Sequence, residues 1–198
     1  MKRLFSFLIL FSLITLMFFQ SCGERSVEEE VIIRSIGDPY QGGIIAYLLK
    51  SDDAGYEGSQ QHGLIVALED QGGMDVVWWN EVLGDLETKA LGNLIGDGLS
   101  NTELIVSVQG EGVYAAKICM DYEIAENGVV YDDWFLPSKG ELAEIYENID
   151  ELGEFTTTYW SSTEAERNAG AWRQNLFNSA QNVSKKYEPF SVRPIRSF

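Results

Sequence analysis

The chain has 198 residues and carries 14 Lys+Arg against 31 Asp+Glu, a net charge of −17. That excess of acid repels nucleic acid and anionic glycans over most of a surface, which argues against both as partners. One His and two Cys leave too few soft ligands for a zinc site, while the length is enough for one domain with a substantial core.

Residues 1–21 read as a secretory signal peptide: Lys2 and Arg3 open it, and an almost wholly apolar run follows to Phe19. That run is short for a membrane span, which takes about 20 residues. Cys22, directly after the small Ser21, resembles the acylated cysteine of a bacterial lipoprotein signal; Phe19, where Leu is commoner, departs from it. A plain signal peptide or an uncleaved anchor are the alternatives. Cleavage before Cys22 would leave 12 basic and 31 acidic residues, a charge of −19. Residues 22–38 form an acidic tether with four glutamates and no aromatic residue before the domain. An acidic run so soon after the cysteine resembles the surface-export signal of Bacteroidetes lipoproteins, which implies an outer-membrane, lipid-anchored protein facing outward; a periplasm-facing lipoprotein is the alternative. If Cys22 is acylated, Cys119 has no partner and reads as a buried, inert thiol. A Cys22–Cys119 disulfide is the other arrangement.

Residues 39–198 read as one domain. Residues 43–49 and 63–68 are short apolar runs bounded by turn residues and predict strands. The loop between them holds Asp52, Asp53 and Glu57, which could face a cation but lack the spacing of a calcium loop, so a solvated turn is expected. Residues 70–100 are loop-rich and contain Trp78 and Trp79. A helix is expected from Ser100 or Asn101, where Ser100 and Glu103 have capping-box form. Ile105, Val108, Gly112, Ala115, Cys119 and Tyr122 stay in phase along it, predicting one helix, kinked at its glycines. Residues 132–149 contain the clearest helix start: Pro137, then Ser138 with Glu141 three residues on, then an apolar stripe of Leu142, Ile145, Tyr146 and Ile149. Beyond it residues 156–161 predict a strand, 171–178 and 182–187 a hairpin about a polar turn, and 191–196 a last strand. Pro194 there must turn its nitrogen to a gap or an edge. Two helices followed by clustered antiparallel strands make the class α+β.

Five stretches in order carry a family resemblance: Gly42-Gly43-Ile44-Ile45, residues 62–67, Asp133-Trp134-Phe135-Leu136-Pro137-Ser138 with Glu141-Leu142, Tyr159-Trp160-Ser161-Ser162-Thr163, and Val192-Arg193-Pro194-Ile195-Arg196. Together they resemble the DUF1566 group, similar to the C-terminal domain of a Legionella collagen-like adhesin. The resemblance implies a C-type-lectin-like fold over roughly residues 40–198. Phe135 stands where that group usually has Arg.

For catalysis the sequence offers little. His62 enters a predicted strand, and the resemblance implies that it is a structural edge residue. Asp132/Asp133 and Glu141/Glu144 are carboxylate pairs, but with 31 acids close pairs arise by chance. The calcium and sugar motifs of lectins, Glu-Pro-Asn or Gln-Pro-Asp with Trp-Asn-Asp, do not occur; Trp160-Ser161-Ser162 stands where the last might sit. Formylglycine-generating enzymes share the general fold but rely on reactive cysteines that are not available here. No metal or other cofactor is expected. Recognition remains. Trp134 and Trp160 are expected in the core. Trp78, Trp79 and Trp172 are candidates for ligand contact, a core role staying open for each, together with Asn178, Gln181 and Asn182. Lys185, Lys186, Arg193 and Arg196 are the only dense basic group, and the two arginines are expected to pair with carboxylates. The expected function is a non-enzymatic surface lipoprotein binding a glycan or protein. The alternatives are a glycan hydrolase using loop carboxylates and a structural subunit of a surface assembly.

Overall fold

The computed structural model describes residues 32–166 and 170–198; the signal peptide, Cys22 and most of the tether lie outside them. The two apolar runs fold as strands that are buried on both faces. β1 (Pro39–Tyr40), β2 (Gly43–Leu48) and β3 (Gly63–Ala67) pair antiparallel, and β4 (Gln71–Val76) follows. After an irregular stretch come α1 (Gly98–Gln109), α2 (Ala115–Met120), the hairpin β5 (Ile124–Glu126) and β6 (Val129–Tyr131), and α3 (Lys139–Glu147). A 3-10 turn (Ile149–Glu151) leads to β7 (Thr158–Glu164), β8 (Ala171–Asn175), β9 (Gln181–Ser184), β10 (Phe190–Val192) and β11 (Ile195–Ser197). The strands make a four-stranded sheet of order β1-β2-β3-β11, a five-stranded sheet of order β4-β10-β7-β8-β9, and the isolated β5-β6 hairpin. The class is α+β, with antiparallel pairing except between β10 and β7, which run parallel.

Four sequence expectations need correction. The single kinked helix over residues 100–122 is two helices, so the described residues hold three α-helices rather than two. Gly110 ends α1 with φ 62° and ψ −151°, backbone open only to glycine, and Tyr114 re-enters extended before α2. Gly112 is exposed rather than on a buried stripe. Ser100 does not cap α1. Asp97 is the N-cap, and its carboxylate turns back to accept from Leu94 N at 2.8 Å. The expected last strand is two, because the chain leaves the five-stranded sheet at Arg193-Pro194 and enters the four-stranded one. Pro194 needs no donor there, and its carbonyl accepts from Ala67 N at 2.9 Å. Finally, the β5-β6 hairpin turns on Asn127-Gly128, with φ 51° and 82°, the signature of a tight hairpin turn.

The Ser138–Glu141 capping box forms as the spacing predicts. Glu141 N donates to Ser138 Oγ at 3.2 Å, and Ser138 N donates to Glu141 Oε2 at 2.7 Å. Glu141 does more than cap its own helix. Its Oε1 accepts from Gly96 N at 2.9 Å and, more weakly, from Gly98 N at 3.4 Å, so the start of α1 takes its acceptor from α3.

Trp134, Phe135 and Leu136 enter three different cores. Leu136 packs with Trp78, Ile105, Tyr114, Cys119 and Trp160 between α1, α2 and the five-stranded sheet. Phe135 packs with Leu142, Ile145, Tyr159 and Ile195 between α3 and the four-stranded sheet. Trp134 lies with Ile45 and Ile65 on that sheet's other face. Trp160 is wholly buried, donates Nε1–H to Val76 O at 2.9 Å, and meets Phe190 edge-on at 4.8 Å. Trp134 donates to Tyr131 O at 3.0 Å and meets Tyr122 edge-on at 5.1 Å.

Truncating either ring leaves a cavity and costs about 3–5 kcal/mol, out of the roughly 5–15 kcal/mol that holds a domain folded. Trp134→Ala and Trp160→Ala should each melt far below wild type; near-wild-type melting of both contradicts this core. Glu141 gives a pH-dependent test. Burial pushes its carboxyl up from 4.5 to about 7, against the backbone donors of Ser138, Gly96 and Gly98 that favour the anion. With the folded value raised, the stability it contributes is complete below about 4.5 and is lost as pH climbs toward 7. Glu141→Gln removes that titration and misplaces one donor, at about 1–3 kcal/mol. The gap between wild type and Glu141→Gln in chemical denaturation should be widest near about pH 5 and narrow toward about pH 8. A gap that widens with pH shows that the three N–H donors hold the carboxylate ionised instead.

Candidate functional site

Most side chains that could do chemistry are committed to holding the fold. Lys186 is buried, with Nζ 2.5 Å from Glu164 Oε1, 2.8 Å from Asp85 Oδ1 and 2.9 Å from Leu86 O. Glu164 Oε2 in turn accepts from Thr88 N, Thr88 Oγ1 and Lys89 N, which pins the 85–90 loop to the end of β7. Arg193 pairs with Asp70 at 2.5 Å and also donates to the carbonyls of Ala67, Leu68 and Glu154. Arg196 takes Asp133 through two bonds of 2.6 and 2.9 Å. The C-terminal basic group is therefore internal apart from Lys185. His62, just before β3, donates from Nδ1 to the Phe198 backbone oxygen at 3.0 Å. Burial pushes the Cys119 thiol far up, which keeps it protonated. Asp53 accepts from Tyr47 OH and Lys50 N, so that loop is a turn closed by its own acid. Among the described residues no group of three His, Cys, Asp or Glu could hold a metal ion, and no helix is long and apolar enough to cross a membrane.

The six residues expected to meet a ligand separate. Trp78 is fully buried and donates Nε1–H to Ser161 O at 2.8 Å, which removes it from the contact surface. Trp79 is half-buried, tilted against Tyr187 at 6.2 Å, with its indole N–H buried and unpaired. Gln181 spends its amide on Lys139 O and Gln174 Oε1, tying β9 to the start of α3. Asn178 caps its own turn by accepting from Ala180 N. Asn182 is exposed on β9. Trp172, on β8, keeps part of its ring at the surface.

Trp172 lines an open cleft of ≈ 410 Å³ together with Asn93, Lys139, Thr163, Glu166 and Val183. Lys139 Nζ stands 3.7 Å from the centre of the Trp172 ring. Thr163 is fixed by donating to Gly92 O at 2.7 Å and accepting from Lys139 N at 3.0 Å. An aromatic face and an ammonium, on β8 and α3, thus border one cavity with a loop amide and a carboxylate. That set can meet a flat apolar surface with the part of the ring that Lys139 leaves uncovered, while donating to and accepting from hydroxyls around it. Lys139 and Asn93 are not among the residues the sequence singles out. Lys139 reads as the first residue of a helix and Asn93 as part of a loop, and only the fold brings them to Trp172.

A second opening, ≈ 640 Å³, lies beyond the C-terminal end of α3, between Tyr146, Phe155, Leu176 and Phe177, with Glu147 and Asp150 at its border. No family model matches the chain, and no curated protein matches it.

Proposed function

We propose that this chain is a lipid-anchored surface protein whose domain is C-type-lectin-like and binds a neutral glycan in the cleft beside Trp172, without turning it over. The observation that carries the reading is the Trp172 ring, part-exposed on β8 beside the Lys139 ammonium, the Asn93 amide and the Glu166 carboxylate. A pyranose presents one apolar face to an aromatic ring and a rim of hydroxyls to polar groups, which is the complement of this set. Support for the fold comes from the five motif stretches: each contributes to a buried element, β2, β3, the 133–138 entry to α3, β7, and the β10-β11 passage. Support for a neutral ligand comes from the net charge of −17 and from the internal use of Lys186, Arg193 and Arg196. The anchor rests on the apolar leader ending at Ser21-Cys22.

Screening the full chain, purified in detergent, against a panel of neutral oligosaccharides should give binders. Trp172→Ala should weaken them by about tenfold or more, and Asn93→Ala, at an exposed loop position, should weaken them with an unchanged melting curve. EDTA should leave binding intact, because the calcium motifs are missing, and a heparin column should not retain the protein. Salt-sensitive heparin retention, loss of binding in EDTA, or hydrolysis of the bound glycan each contradicts the reading. The anchor has its own test. Metabolic labelling with a fatty acid should mark the wild-type protein and not Cys22→Ser; label in the mutant, or none in wild type, refutes acylation at Cys22.

A further inference from the structure

The groove beyond α3 shares no lining residue with the Trp172 cleft. Its walls are the rings of Tyr146, Phe155 and Phe177 over buried Leu176. Phe177 is 70% exposed, yet it is not at a loose end. Asn175 Oδ1 accepts from Phe177 N at 2.8 Å and from Asn178 N at 3.2 Å, and Asn178 Oδ1 accepts from Ala180 N at 3.1 Å. This bonded turn holds the ring in water at the groove's mouth, where an apolar side chain gains nothing unless something covers it. The border is acidic. Glu147 and Asp150 line it, and Glu151 and Glu154, both exposed, follow within the same short stretch. Among the described residues none of these four joins an ion pair. Arg193, which lies 4.2 Å over Phe155, is spent on Asp70, and Lys50 pairs with Glu144 on α3.

We propose that this groove docks a basic segment of a partner protein, one that alternates Lys or Arg with apolar side chains. Charge decides among the possible occupants. The chain's own tether carries Glu24, Glu28, Glu29 and Glu30 and is repelled by the rim. A second copy brings the same net charge of −17. A neutral glycan can donate hydrogen bonds to the four carboxylates but leaves their charge unpaired. A basic segment places its apolar side chains on Phe177 and Leu176 and its cations against Glu147 and Asp150, with the faces of Tyr146 and Phe177 within reach of an ammonium or guanidinium. The acidic field of the whole domain steers such a segment inward, so association quickens at low salt.

The test uses the full chain in detergent and a fluorescein-labelled peptide of alternating lysine and leucine, followed by fluorescence anisotropy. Its counterpart with glutamate for lysine is the control. The lysine peptide should bind saturably and the glutamate peptide should not. Phe177→Ala, at an exposed position, should keep the wild-type melting curve and weaken binding about tenfold. The double variant Glu147→Gln, Asp150→Asn should weaken it similarly and flatten its dependence on salt between about 50 mM and about 300 mM. Trp172→Ala should leave peptide binding unchanged, which separates this surface from the glycan cleft. Equal affinity for the two peptides, no saturable binding, unchanged affinity in Phe177→Ala, or displacement of the peptide by a neutral oligosaccharide each overturns the proposal.

Discussion

Five consecutive residues, Trp134 to Ser138, hold the domain together because each is committed to a different neighbour. The first three side chains are the centres of three separate cores. The backbone from Phe135 to Ser138 is engaged as well. Phe135 exchanges two bonds with Ile195, of 2.8 and 2.9 Å. Leu136 N donates to Thr102 Oγ1, and Pro137 O accepts from Ser162 N at 2.7 Å. A stretch in extended backbone alternates its side chains between faces, and here the alternation is converted into contact with α1, with β7 and with both faces of the four-stranded sheet. Pro137 suits this use, since it fixes its own backbone and has no N–H to satisfy in a buried place. The Phe135 ring is buried in one cluster with Leu142 and Tyr159, where a charged side chain would need a partner.

Around that hub the charges divide by role. Three cations, Lys186, Arg193 and Arg196, are taken inside and satisfied by Glu164, Asp70 and Asp133 together with backbone carbonyls. Ions taken out of water contribute little net stability unless their remaining donors are also bonded. Here they are, and each pair joins segments far apart in sequence: β7 to the 85–90 loop, the end of β3 to the 3-10 region, the last strand to the entry of α3. What remains outside is mostly acid. Each internal pair takes one cation and at least one acid, so the anionic surface reflects the excess of 31 Asp+Glu over 14 Lys+Arg.

How much of this was legible depended on whether a signal was local. The Ser138–Glu141 box, the strands near 43–49 and 63–68, the hairpin after residue 171 and the burial of Trp134 and Trp160 all follow from short-range pattern. The α1–α2 break was not read, because the apolar phase from Ile105 to Cys119 continues across Gly110, and phase alone does not register that glycine's positive φ. The cap of α1 was misplaced for a related reason: its acceptor is Glu141, 43 residues away from Gly98, and Ser100 only imitates the motif. Of the ligand candidates, Trp78 looked exposed because the 70–100 stretch lacks regular pattern, yet irregular backbone there is tied down by Asn80 and Gln109 and carries its ring into the core. Asn127-Gly128 was a readable hairpin signal. Lys139 and Phe177 were not readable, since what matters for each is a neighbour supplied by the fold.

Helix α3 links the two clefts. Nine residues span only ~13 Å at 1.5 Å per residue, and the helix contributes Lys139 to one surface from its first position and Tyr146 and Glu147 to the other from its last turn. Its position is set at both ends. At the start, Ser138 and Glu141 close the cap and Gln181 donates to Lys139 O. At the finish, Asn148 Nδ2 donates to Ala46 O on β2. So short a helix has little stability of its own in water, and its register comes from Leu142 and Ile145 packing below it. A change in that core therefore moves both surfaces at once, whereas a change at Trp172 or Phe177 touches one and leaves the other.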